Sequence, residues 1–273
     1  MSGIPYRLAV LATVLAALAS AAGIAVTGLY HDAPNWVQQA QGTDLATLFL
    51  AVPLTAIGLW ASRRGRQVGP AAVLAGLLYL VYNYAIFAFA VAMNALTLLH
   101  IAILGLALWS LLLGGQAALR AAGGLGNRLD RRASGALLVV TGVLFGLLWI
   151  GQITTANVTG VLPADLVTAG ISTNPVYALD LAFFLPLCIV AGVGVLRGAP
   201  AGTLAFPMLI WVPLMGAGIL GAFVLVAVAG GEVQLPVVAL VAALGLGSSL
   251  LATHAHIRSP SAGIDGSSIR AAV

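Results

Sequence analysis

Apolar residues dominate eight stretches of the chain, at about 8–29, 43–62, 68–92, 95–119, 134–154, 175–196, 203–229 and 235–256. Each is close to the roughly 20 residues that a helix needs to cross the hydrocarbon core of a bilayer. Within lipid no water satisfies backbone N–H and C=O groups, so these stretches must be helices. The expected fold is all-α: a polytopic bundle of eight transmembrane helices forming a single domain over 1–258. The Ser/Gly-rich tail at 259–273 is expected to be disordered.

The polar segments between the stretches alternate in charge. Arg7, Arg63, Arg64, Arg66, Arg120, Arg128, Arg131, Arg132, Arg197, Arg258 and Arg270 fall at every second connection and at both ends. The 30–42 loop, the turn at Met93-Asn94, the 155–174 loop and the 230–234 turn carry no basic residue, only Asp32, Asp165 and Glu232. Basic residues are retained in the cytoplasm, so both termini are expected inside a cell (plasma or inner) membrane. Arg7 followed by Ala17-Leu18-Ala19 looks like a signal peptide with its cleavage site. The apolar run continues to Leu29, however, and reads better as an uncleaved first helix. The mildly apolar 155–174 loop is expected to include a short interfacial helix.

Composition agrees. Of 273 residues 61% are hydrophobic and 7% charged, against roughly 25% charged in soluble domains, so the bilayer itself is the first partner. The net charge of +4 is dispersed among loops and does not describe a nucleic-acid surface. Every basic residue is arginine, which excludes chemistry that needs a lysine amine. The single cysteine, Cys188, reads as a small core residue and excludes a dithiol centre. The sequence leaves the cofactor unknown.

A parallel internal repeat is expected, with halves 1–121 and 134–258. Helix 2 begins Asp44-Leu-Ala, carries Pro53 and ends at Arg63; helix 6 contains Asp180-Leu-Ala, carries Pro186 and ends at Arg197.

Candidate chemistry follows from polar residues inside the spans, each costly to place there. Asp44, Tyr79, Tyr82, Asn83, His100, Gln152, Tyr177 and Asp180 all fall in the outer halves of helices 2 to 6. Tyr79, Tyr82 and Asn83 share a helix face, as do Tyr177, Asp180 and Phe184. These positions predict an outward-opening polar cavity lined by helices 2 to 6, its mouth covered by the 30–42 loop with Trp36 and Gln41. Asp44 reads more readily as an acid at a helix start, where it suits cap and dipole. Asp180 lies too deep to cap. His31, Asp32, Asp44, His100 and Asp180 show no metal-ligand spacing, so no metal site is assigned. Gly123-Gly124-Leu125-Gly126 reads as a flexible inner loop.

The stretches 35–45, Tyr82-Asn83-Tyr84 and 174–180 resemble those of an uncharacterised family of multi-pass bacterial membrane proteins of about eight helices. The resemblance covers helix 1 to helix 6 and implies no activity. Three functions fit: a transporter or sensor for a small-molecule or lipid ligand; an intramembrane enzyme, metal-assisted, acting on a lipid or quinone-like substrate; and an assembly subunit of a membrane complex. The first is favoured by the repeat and the kinked helices.

Overall fold

The computed structural model describes residues 3–257; the 259–273 tail lies outside them. Among the described residues there are helices and no strands, and eight helices are long and apolar enough to cross a membrane. They are α1 (Ile4–Ala25), α2 (Pro34–Arg63), α3 (Val68–Ala90), α4 (Thr97–Gly126), α5 (Arg131–Thr159), α6 (Pro175–Arg197), α7 (Pro200–Val228) and α8 (Leu235–Ile257). Large apolar side chains such as Phe49, Ile57, Leu112, Leu147, Phe183 and Leu250 point outward around the bundle. A surface of that kind belongs in lipid. The chain is a multi-pass membrane protein.

The ends of the helices follow local chemistry. Pro34 and Pro175 occupy first-turn positions, where the missing N–H costs nothing. Asn174 Oδ1 accepts from Val176 N at 2.9 Å, and Asp130 Oδ1 accepts from Arg132 N and Ala133 N, both at 3.0 Å. Arg131 reaches from α5 to the end of α6 and donates to Val195 O at 2.9 Å. At the opposite end of the molecule the Asp32 carboxylate accepts from Ala92 N at 2.9 Å, tying the α1–α2 connection to the end of α3.

Two boundaries depart from the sequence reading and one segment agrees with it. The polar segment expected as a lid loop at 30–42 is helical from Pro34 onward, so α2 projects as one continuous piece from Pro34. Asp44 therefore lies well inside a helix and caps nothing. The Gly123-Gly124-Leu125-Gly126 stretch forms the last turn of α4 instead of a loop. Between α5 and α6, a short helix at Ala164–Ala169 stands where an interfacial one was expected.

α3 is the central helix, buried along most of its length against α2, α4 and α7. Neighbours α1–α2, α2–α3, α3–α4 and α1–α4 pack together in the first four helices, and α5–α6, α6–α7, α7–α8 and α5–α8 in the last four. Close crossings use glycine, as membrane interfaces do. A Cβ on Gly192 of α6 would lie 2.7 Å from the carbonyl oxygen of Gly135 on α5, and a Cβ on Gly42 of α2 would overlap the backbone of Ala222 on α7.

α2 and α6 each contain one π-helical turn, Thr47–Ala51 and Asp180–Phe184. Each turn stops two residues before a proline, Pro53 or Pro186, whose ring disturbs the hydrogen-bond ladder beneath it. Aligned on these prolines, Asp180 corresponds to Thr47 and not to Asp44.

Candidate functional site

The half of the bundle away from the arginines holds a cavity of about 210 Å³. Its walls come from α2 (Trp36, Gln39, Ala40, Thr43), α3 (Tyr82, Asn83, Ile86, Phe87), α5 (Thr141, Phe145, Trp149), α6 (Val176, Asp180, Leu185), α7 (Trp211, Val212, Met215, Gly216, Gly218, Ile219) and α8 (Val241, Leu244).

Among the described residues Asp180 is the one formally charged group in its lining, with 8% of its surface exposed. The first residue of the π turn, it is fixed from two other helices. Trp149 Nε1 on α5 donates to Oδ2 at 2.7 Å, and the Tyr82 hydroxyl on α3 also bonds the carboxylate. Both donors are held in place by rings. Tyr82 meets Phe184 edge-on at 4.9 Å and Trp211 at 6.1 Å, and Phe184 stacks on Trp211 at 5.2 Å. Trp149 lies 4.9 Å from the ring of Tyr177, whose hydroxyl donates to Gln152 Oε1. Asn83 Nδ2 donates to Tyr79 O at 2.9 Å and points its amide at Met215 Sδ, 3.7 Å away. Trp36 is anchored by Nε1 to Ala90 O at 3.0 Å.

The ten residues singled out in the sequence divide into three groups. Asp180, Tyr82, Asn83 and Trp36 line the cavity, with Tyr177 and Gln152 directly behind Trp149. Asp44 and Tyr79 belong to a second polar cluster where α1, α2 and α3 meet. There Tyr30 donates to Asp44 Oδ2 at 2.6 Å, Ser20 bonds the same carboxylate, and Tyr79 shares a 3.0 Å hydrogen bond with Thr47. Burial first, and the neighbouring Asp44 second, push the Tyr30 hydroxyl well above the usual tyrosine range, so it remains a donor. His100 and Gln41 do not line the cavity.

His100 corrects the expected wall. α4 packs behind α3, and the imidazole sits among rings, 4.8 Å from Phe87 and 5.7 Å from Tyr84. Its Nδ1 has no hydrogen-bond partner among the described residues. The cavity is closed by α7 and α8, not by α4. A His100→Phe protein should keep its thermal midpoint or gain slightly, because an unpartnered buried nitrogen costs about 1–3 kcal/mol and a ring of similar shape removes it. Thermal unfolding in detergent measures this, and a fall in midpoint of many degrees would contradict it.

Trp211, Phe145, Met215, Val241 and Leu244 were missed in the sequence. Trp211 alone carried a signal: it lies near the middle of α7, far from the interfacial belt where membrane tryptophans gather. Among the described residues no group of three His, Cys, Asp or Glu side chains is placed to hold a metal. What the cavity can do is enclose a mostly apolar molecule and engage one polar group on it. No family model, curated protein or solved structure matches the chain.

Proposed function

We propose that the protein binds a small, largely apolar ligand in this cavity, as a membrane transporter or sensor. The observation that carries the reading is Asp180, a carboxylate held by Trp149 and Tyr82 in the wall of an otherwise aromatic and aliphatic cavity within the membrane. An acid in such a place is costly, and one that only pinned helices together would not border an open space. The π turn at Asp180–Phe184 supports the reading, since π turns gather at functional sites and this one begins with the acid that lines the cavity. So does the same set of neighbour pairs in the first and last four helices, which fits a parallel repeat with the cavity where its halves meet. The arginines of the described residues gather at the end that holds both described termini, which supports a cytoplasmic position for that end and a cavity facing outward.

Thiol labelling tests this. Cys188 is the single cysteine of the sequence, so a Cys188→Ala background is silent. In that background Asn83→Cys should react in intact cells with a membrane-impermeant thiol reagent, while Gly105→Cys, with open space around it on α4, should not. Labelling of position 83 only from the cytoplasmic face, or from neither face, would defeat the proposal.

A further inference from the structure

The rings around the cavity and the charge of its single acid specify more than a generic small molecule. Resting on the reading of the cavity as a ligand site, we infer that its ligand is an organic cation, an amine or quaternary ammonium with an apolar body. Six aromatic side chains, Trp36, Tyr82, Phe87, Phe145, Trp149 and Trp211, contribute to the wall. Each ring face carries the negative lobe of a quadrupole, and enclosure by several such faces is how ammonium groups are recognised away from water. In its ionised form the carboxylate of Asp180 adds a negative charge to the same space. Its partners there, the indole N–H of Trp149 and the hydroxyl of Tyr82, are neutral donors, so they orient the carboxylate without cancelling it. No arginine or histidine lines the cavity among the described residues.

These features discriminate between ligand classes. An anion would meet aromatic rings and a carboxylate of its own sign, with no arginine or histidine in the described lining to receive it. A neutral apolar molecule would displace water from Asp180 and leave its charge unpaired, which is costly in a low-dielectric surrounding. An ammonium supplies the missing counter-charge, and Ile86, Val212, Met215 and Leu244 receive the rest of the molecule.

A matched pair of probes separates charge from shape. Benzyltrimethylammonium and neopentylbenzene have the same outline and differ by a nitrogen cation in place of a carbon. Binding to the full-length protein in nanodiscs is read from tryptophan emission, since Trp36, Trp149 and Trp211 line the cavity, with empty discs as blank. The wild-type protein should bind the cation at least about tenfold more tightly than the hydrocarbon. Asp180→Asn, which keeps the shape of the side chain, should lose about tenfold or more for the cation and change little for the hydrocarbon. Phe145→Leu, which leaves Asp180 and its two donors untouched, should weaken the cation by about threefold. If the hydrocarbon binds as tightly as the cation in the wild-type protein, the charge inference is overturned while the cavity remains a ligand site. An unchanged affinity of the cation for the Asp180→Asn protein overturns it equally. If neither probe binds in a saturable way, both the inference and the ligand-site reading fall. The wild-type comparison needs no variant, so it decides the question even where the Asn protein does not fold.

Discussion

A Gly42→Val protein is expected to lose about 3 kcal/mol or more of stability, seen as a large fall in thermal midpoint and as loss of the monodisperse species after extraction. Gly42 lies where α2 crosses α7, and any Cβ on it would occupy the space of the Ala222 backbone. Backbone cannot swing aside as a long side chain can, so the two helices must separate. Separation also moves Thr43 and Ala40, which line the cavity from the same turns of α2. Gly151→Ala serves as the comparison, because nothing lies within 4 Å of a Cβ there. It should be close to neutral. Equal behaviour of the two variants would mean that the α2–α7 crossing does not depend on close backbone approach.

The second large effect is expected at Asp44. Its carboxylate is 1% exposed and accepts from Tyr30 and Ser20, with Gly23 of α1 packed directly against it. Asp44→Leu removes the acceptor and strands the Tyr30 hydroxyl, while Ser20 keeps the Tyr84 hydroxyl as a partner at 3.4 Å, a loss of about 1–3 kcal/mol. Asp44→Asn retains one acceptor oxygen and should lose about 1 kcal/mol. The mechanism has a sharper signature than the magnitude. Tyr30→Phe should destabilise the wild-type protein but cost little in the Asp44→Leu background, because the two groups are partners. Additive losses in the double variant would show that the Tyr30–Asp44 hydrogen bond is not what stabilises this corner.

Most of the architecture was legible in the sequence because lipid imposes one strong rule, that a spanning segment be apolar and helical. All eight spans were found on that basis. The rule has nothing to say about polar residues that remain helical, and there the reading failed. Asn35, Gln38, Gln39 and Gln41 look like a loop in composition, yet Pro34 starts a helix through them because that segment packs against α7. The same limit applies to the site. Acids and amides inside spans were conspicuous, so Asp180, Tyr82 and Asn83 stood out. Their neighbours from α7 and α8 did not, since Met215, Val241 and Leu244 look no different in sequence from residues that face lipid. The position of α4 was likewise invisible. His100 has the right depth for the cavity, but helical spacing fixes which residues share a face and not which neighbour that face meets.

The π turn at Asp180–Phe184 has a consequence for helical phase. A π turn accommodates one residue more than the α turn it replaces, and one residue is worth about 100° of rotation. Everything in α6 before Phe184 is therefore turned about its axis relative to the part that ends at Arg197. Without the extra residue, the side of α6 that now presents Val176 and Asp180 to the cavity would be directed about a quarter-turn away. Removing one residue from within 180–184 would leave a helix of ordinary geometry and equal hydrophobicity, still able to span and to pack through Gly192. The acid would then be aimed elsewhere, so α6 depends on a local surplus of one residue to place a charge that its hydrophobic pattern alone cannot aim.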